Sequence, residues 1–526
     1  MLILLQREAS FPIRREHYGL GNSRRNRGPA DGVALLSITG RPERACRGRK
    51  NVKLQQTPVP EVRRRIVAGT GRAAVALAAI AVLVAGCGGR TGSETGGGDD
   101  RSGGGSSALS ADFGDLTEVC QEGDASTASA QGVTAEQIEV GVFTDMGFTK
   151  NPEFVDAAKV FTSWCNDNGG INGRTLVANT RDAKLMEPRQ RMIEACREDF
   201  ALVGGGAALD ALGVKERLNC LLPTFTAQTV QEGAAGADLE ISASPAKIPG
   251  YDNYAGFREW VINEAYPESK SAIGAINGDS AVTKVVGAIT QETFEALGAT
   301  MVYNELYPAM GVSDWTPYAQ AIKSKGVKGL VFMGSFDQLA KLEEVLTNMD
   351  YKLDWIDANN NAYNAQFIDL LGRSAEYQNN LVDLGGMAPL ESDEPAVEQL
   401  KELYAKYAPD AQITLPAMRA WSSWLLFAKA AAACGDELTR ACVYETAREE
   451  TAWTGGGLHA PSDLQTPLPP KACFNVEKAT PDGWEPADFN PDNGLYRCDL
   501  PPRKITQDFG APLTLAEVGK SMSDVQ

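Results

Sequence analysis

Histidine is almost missing from this sequence: His17 and His459 are the only two in 526 residues. Chemistry that relies on imidazole as base or metal ligand has little to draw on. Unbroken apolar runs of about 18 residues are also missing, which excludes a multi-span membrane protein. No cysteines are spaced C-x-x-C, and no G-x-S-x-G elbow occurs. Cations are in the minority, 50 Lys/Arg against 68 Asp/Glu for a net charge of −18. A nucleic-acid partner needs the opposite balance, so none is expected. The remaining catalytic matches are weak. Ser244-Pro-Ala-Lys247 fits S-x-x-K but contains proline and has no K-T-G companion. Gly519-Lys520-Ser521 has Thr514 where a phosphate loop needs glycine. Asp488-Phe-Asn-Pro-Asp-Asn-Gly494 resembles a calcium loop with its glycine one position late, and is read instead as a hairpin turn. His459 lies in a glycine-rich turn and is read as structural. The expectation is no enzyme, no metal and no cofactor.

What is present is unevenly distributed. Residues 1–86 hold 16 Lys/Arg and 5 Asp/Glu, and the remaining 440 carry 34 and 63. Arg63, Arg64, Arg65 and Arg72 precede the apolar stretch Ala73–Ala85, which ends in Val84-Ala85-Gly86-Cys87. A basic region, an apolar stretch of about 7–15 residues and small residues before a cut describe a secretory signal. The ending resembles a bacterial lipobox, which implies lipidation of Cys87 and a membrane anchor on the extracytoplasmic face. Residues 62–86 are then the signal peptide. Residues 1–61 are read as a non-native N-terminal extension from a start codon placed too early. Residues 87–111, rich in Gly, Ser, Thr and Asp, should form a flexible tether.

Apart from Cys46 and Cys87, eight cysteines remain. An even number in an exported chain points to disulfides, and eight allow 105 pairings. Nearest-neighbour pairing is the simplest choice: Cys120–Cys165, Cys196–Cys220, Cys434–Cys442 and Cys473–Cys498.

The body alternates strand and helix. Ile138–Phe143 alternates at period two, and Phe154, Ala158, Phe161 and Cys165 follow at helical spacing. Strand patterns recur at 176–179, 201–203, 221–225, 272–276, 301–306, 329–333 and 353–356. Helical patterns fall near 187–199, 208–218, 251–265, 281–297, 315–325, 336–349 and 363–371. Such alternation predicts parallel sheets, with ligands bound beyond the carboxyl ends of the strands. The extended passages 238–245 and 381–389 predict crossovers between two lobes. Helices near 394–407 and 415–433 follow, then a Pro-rich tail.

Asn168-Gly-Gly-Ile-Asn-Gly-Arg174, placed after a helix, resembles a turn of type I periplasmic binding proteins, the leucine/isoleucine/valine-binding proteins of branched-chain amino-acid ABC transporters. Val140-Gly-Val-Phe-Thr-Asp145, Ala201-Leu-Val-Gly-Gly-Gly-Ala-Ala208 and Leu222-Pro-Thr-Phe-Thr-Ala227 are similar to that family's successive ligand loops. Cys196 and Cys220 flank the second loop, as a disulfide does in the family. The resemblance implies an α/β fold of two doubly wound parallel-sheet lobes, joined by a hinge with three crossings. Lobe 1 would comprise 112–247 plus 385–460 and lobe 2 residues 248–384. Residues 461–526 are read as a Pro-rich, disulfide-bonded C-terminal segment.

The resemblance further implies a solute-binding lipoprotein, monomeric, whose partners are a small molecule and an ABC transporter permease. A receptor that signals to a membrane sensor is the alternative, and an exported enzyme on a similar fold is a third class. Candidate ligand-binding residues are Thr144, Asp145, Gly206, Ala207, Ala208, Thr226 and Ala227 from lobe 1. Lobe 2 would supply Tyr251, Asp279, Ser335, Phe336 and Asn360. Ala207 and Ala208 should open a helix whose backbone N–H groups take an anion. The chain departs from the amino-acid binders at three places. Ala207-Ala208 stands where serines are usual, Asn359-Asn360-Asn361 where an acid is expected, and Val282-Thr283 where an aromatic is. An ammonium buried without a carboxylate is costly. The ligand is therefore expected to be a neutral or anionic small molecule rather than a branched-chain α-amino acid.

Overall fold

The structure, a computed structural model, describes residues 109–245, 247–465 and 472–526. The expected extension 1–61, the signal 62–86, Cys87 and most of the tether lie outside the described residues. The last tether positions do not behave as a tether. Leu109 packs on the core, and the carbonyl of Ser110 accepts the indole N–H of buried Trp164 at 2.9 Å.

The first lobe is built on five parallel strands: β1 (Gln137–Thr144), β2 (Thr175–Asp182), β3 (Ala201–Gly205), β4 (Thr224–Thr226) and β5 (Glu240–Ser242). Their order is β2-β1-β3-β4-β5. Between them run α1 (Met146–Thr149), α2 (Glu153–Asp167), α3 (Pro188–Glu198) and α4 (Ala211–Asn219). The apolar stripe of α2 is buried at Phe154, Ala158, Phe161 and Cys165, as its spacing predicts. The glycine-rich turn after α2 is a stitch. Gly170 has φ +74°, and a Cβ there would stand 2.1 Å from the Arg174 carbonyl oxygen. Arg174, fully buried, donates to the Thr134, Gly435 and Asp436 carbonyls.

The second lobe begins with β6 (Tyr251–Asp252) and α5 (Ala255–Trp260). It continues through β7 (Ile273–Gly278), α6 (Ala281–Ala296), β8 (Met301–Tyr307), α7 (Thr316–Lys325) and β9 (Gly329–Met333). It then runs through α8 (Phe336–Asn348), β10 (Trp355–Asp357), α9 (Ala365–Leu371), α10 (Ser374–Tyr377) and β11 (Asn380–Asp383). Two of these helices start on a side-chain cap: the Ser280 hydroxyl accepts from the Thr283 N–H at 3.2 Å before α6, and Asn364 Oδ1 from the Phe367 N–H at 2.8 Å before α9. The chain returns to lobe 1 as α11 (Pro395–Tyr407), α12 (Leu415–Ala433) and α13 (Arg440–Arg448). Helix α12 is buried almost all round. Its Trp421 and Trp424 lie 5.0 and 5.4 Å from the ring of Phe161.

Several expectations change here. The passage 381–389 is not all crossover, because its first residues belong to β11. The segment 461–526 is built into both lobes. It supplies β12 (Val476–Thr480) and β13 (Gly483–Pro486), which extend the second sheet antiparallel to β11, in the order β13-β12-β11-β10-β9-β7-β8. It then supplies β14 (Arg503–Lys504), which pairs with β6. Finally it returns to lobe 1, where Asp238 N–H donates to Leu513 O at 3.0 Å and Arg440 N–H to Gln526 O at 2.9 Å. The lobes are thus joined by four passages, not three. Short strands such as β11 and β12 form because each completes a ladder begun by distant sequence, which local periodicity does not register. The four disulfides are Cys120–Cys165, Cys196–Cys220, Cys434–Cys442 and Cys473–Cys498.

Candidate functional site

In lobe 1 the carboxyl ends of β1, β3 and β4 carry the three anticipated loops, and the loops are tied to one another. Asp145 is buried. Its Oδ1 accepts the Leu185 N–H and its Oδ2 the Ala208 N–H, each at 2.7 Å. Thr144 Oγ1 accepts from the Met146 N–H at 3.2 Å. The Thr226 hydroxyl donates to the Gln228 carbonyl at 2.9 Å, and the Ala227 N–H to Gly205 O at 2.9 Å. Gly206 donates to Phe143 O at 2.8 Å. Helix α4 starts at Ala211, so Ala207 and Ala208 do not open it. The Ala208 amide expected to hold a ligand anion already holds a carboxylate of the chain. Asp210, just before α4, accepts the Val230 and Gln231 N–H groups at 2.7 and 3.0 Å, and burial pushes its pKa up to about 7.

In lobe 2 the anticipated residues are more loosely placed. Asp279 follows β7, donates its N–H to Tyr307 O at 2.7 Å and pairs with Lys284 at the surface. The Ser335 hydroxyl bonds the Asp337 carboxylate before α8. Phe336 meets Phe367 edge-to-face at 6.3 Å. Tyr251 lies in β6, opposite Lys504. Asn360 follows β10, and its Nδ2 is buried without a hydrogen-bond partner. Asn359 cannot offer the same donor, since its Nδ2 already reaches Phe332 O at 2.9 Å.

Sequence reasoning missed the residues between these two rims. Arg419 lies in the first turns of α12. One turn later Ser423 Oγ donates to Thr226 O, at the end of β4, at 2.9 Å. On its other side is Gly385, two residues beyond β11. A Cβ there would stand 3.5 Å from Arg419 Nη2 and 3.9 Å from Tyr254 Cε1. Arg419 therefore stands between the carboxyl edges of both sheets. Burial raises the Tyr254 phenol's pKa overall, although the Arg419 charge lies close enough to favour its ionised form. Beside Tyr254 lie the ends of β10 and β11. Asp357 accepts the Asn359 N–H at 3.1 Å and Asp383 the Gly385 N–H at 2.7 Å, while Asp383 Oδ2 has no partner. Burial raises these carboxyls to about 6 and about 7 respectively. A signal existed: Arg419 is the lone charge in Leu415–Phe427, an otherwise uncharged stretch too apolar to be a solvent-facing helix.

His459 is buried. Its Nδ1 meets Ala460 O and its Nε2 the Ser422 hydroxyl, both at 2.8 Å. Burial lowers its pKa to about 4, so it is neutral, donates from Nδ1 and accepts from Ser422. Ser422 also accepts the Trp453 indole N–H at 2.9 Å and is 0% exposed, so the pair is a core link that substrate does not reach. Among the described residues no group of three or more His, Cys, Asp or Glu is arranged to hold a metal. Among them, too, no helix is long and apolar enough to cross a membrane.

Comparison with known proteins follows the same lines. No curated protein matches the chain. Among solved structures, a fatty acid ABC transporter substrate-binding protein from Thermomonospora curvata is 18% identical, with TM-score 0.56 over 74% of this chain and 97% of that one. A leucine-binding protein from Thermotoga maritima is 11% identical, with TM-score 0.54 over 66% and 97%. A type 1 periplasmic binding protein from Bordetella pertussis is 14% identical, with TM-score 0.52 over 67% and 100%. These identities speak to the shared two-lobed fold alone. The family model for periplasmic binding proteins matches residues 137–465. With that match across both sheets and the returning helices, the chain belongs to the periplasmic binding protein family.

Proposed function

We propose that this chain is an extracytoplasmic solute-binding lipoprotein that delivers a small molecule to an ABC importer. Cys87 carries the lipid, and the chain works as a monomer without a cofactor. The observation that carries this reading is the convergence of the carboxyl ends of the parallel strands of both sheets on one set of polar side chains, where open α/β sheets take their ligands. Closure of the lobes about the four passages would bury the solute and present a closed form to the permease. The solute is neutral or anionic rather than a branched-chain α-amino acid. At the rim, Asn360 stands where that family has an acid, and Asp145 fills the amide that would hold an α-carboxylate.

Mass spectrometry of compounds released from the purified mature chain tests the reading. A released compound should stabilise the stripped protein by about 2.7 kcal/mol at 100 times its dissociation constant. Its uptake should be lost in cells lacking this chain. Undiminished uptake with altered gene expression would favour a receptor that signals to a membrane sensor. Micromolar binding of leucine, isoleucine or valine would refute the solute class. Cys87→Ala should move the protein from membranes to the soluble exported fraction, and a variant still held by membranes would refute the anchor.

A further inference from the structure

Among the described residues, six arginines are nine-tenths or more buried: Arg174, Arg181, Arg217, Arg258, Arg419 and Arg497. Four pair with a carboxylate of the chain, and the fifth, Arg217, has its guanidinium held by backbone carbonyls. Arg174 pairs with Asp436, and Arg217 donates to the Leu222 and Asp238 carbonyls. Arg181 pairs with Glu198 and Asp199, and Arg497 with Glu264 and Asp499. Arg258 has a free Nε, yet Asp252 neutralises it. Arg419 differs. It is 9% exposed, its Nε has no partner, and among the described residues it forms no salt bridge. Glu153 feels its charge but does not pair with it, being bonded to the Thr414 hydroxyl.

A guanidinium offers five N–H donors in a planar fork, and burying it without an anion is costly. A fold that holds five buried arginines with carboxylates or backbone carbonyls and leaves the one between its two lobes open is keeping a place for an anion. We propose that Arg419 is the anchor of a ligand carboxylate, so that the solute is a small organic monoanion. This rests on the solute-binding reading above. The fork matches a carboxylate through two parallel hydrogen bonds. One open guanidinium offsets one negative charge, which favours a carboxylate over a doubly charged phosphate. The opposite rim agrees: Asn360 Nδ2 is a second buried donor without a partner. Asp383, raised by burial, can carry a proton on its free oxygen and donate as well.

The test uses the mature chain, stripped of bound compounds, with Arg419→Met and Arg419→Lys variants. Thermal unfolding is followed with matched monocarboxylates and primary amides: acetate and acetamide, butyrate and butyramide, octanoate and octanamide, benzoate and benzamide. Any compound released from the native protein joins the panel. Ligand-free Arg419→Met should melt no lower than wild type, because it removes an unanswered buried charge. Acids, not amides, should raise the wild-type Tm, and Arg419→Met should weaken acid binding about 100-fold. Arg419→Lys, keeping charge without the fork, should fall between. A large drop in Tm for ligand-free Arg419→Met would show a structural arginine and overturn the proposal. So would amides binding as well as acids, or acid binding unchanged in Arg419→Met. A neutral compound that is released and rebinds would overturn the anion while leaving the solute-binding reading intact. If neither the panel nor any released compound binds, both fall.

Discussion

The two lobes share an α/β plan but spend their polar groups differently. Lobe 1 has five strands, all parallel, and three of the four disulfides. Its rim is closed on itself: the carboxylate oxygens of Asp145 and the hydroxyl of Thr226 are committed to neighbouring backbone. Lobe 2 has a mixed sheet completed by a distant hairpin, and its rim leaves groups open at Asn360 and Asp383. The lesson is a division of labour. One lobe is a pre-set platform, and buried polar atoms without partners lie on the other lobe's rim and on Arg419 between them.

Breaking the platform should produce the largest effects. Trp421→Ala removes the ring packed against Phe113, Phe161 and Trp164, and should cost about 3–5 kcal/mol in urea unfolding. Replacing Cys196 and Cys220 together by Ala should cost about 2–4 kcal/mol, read by the same unfolding midpoint. Alkylation without reductant should find no free thiol among the eight cysteines of the body. Asp145→Ala orphans the Leu185 and Ala208 N–H groups and should cost about 1–3 kcal/mol, whereas Asp279→Ala on the lobe 2 rim should cost under about 1 kcal/mol. Similar losses for the two would erase the contrast between the rims.

A pH dependence sharpens lobe 2. Glu343 is fully buried in α8, accepts from Asn380 Nδ2 at 2.8 Å, and burial raises its pKa to about 8. Its folded pKa is above its unfolded value, so the folded state holds the proton longer. Stability is then full below about pH 4 and declines as pH rises toward 8, by up to about 1.4 kcal/mol per pH unit for one group. Glu343→Gln should flatten that slope in unfolding measured from pH 5 to 8. An unchanged slope would show that Glu343 is not the group responsible.

Much of the fold was legible in the sequence. Helices such as Leu415–Ala433 and strands such as Gly329–Met333 follow from apolar period, because a buried stripe needs only residues a few positions apart. Lobe 1's rim loops were located correctly along the chain, yet their hydrogen bonds were not. Asp145 and Ala208 are 63 residues apart, and nothing local shows that one caps the other. Arg419 was passed over for the same reason. Its meaning depends on Gly385 and Tyr254, which reach it through the passages between lobes.

By itself the sequence determined the alternation of strand and helix, the glycine turn at Asn168–Arg174, and a cysteine spacing for which nearest-neighbour pairing suffices. Each depends on backbone preference or short-range geometry. Only the tertiary structure decided that Val476–Pro486 completes the second sheet and that the C-terminal residues cross back to lobe 1. It alone decided which buried charges are answered. Ladder pairing and charge compensation are settled by partners tens to hundreds of residues away, and such partners come together only when the whole chain has folded.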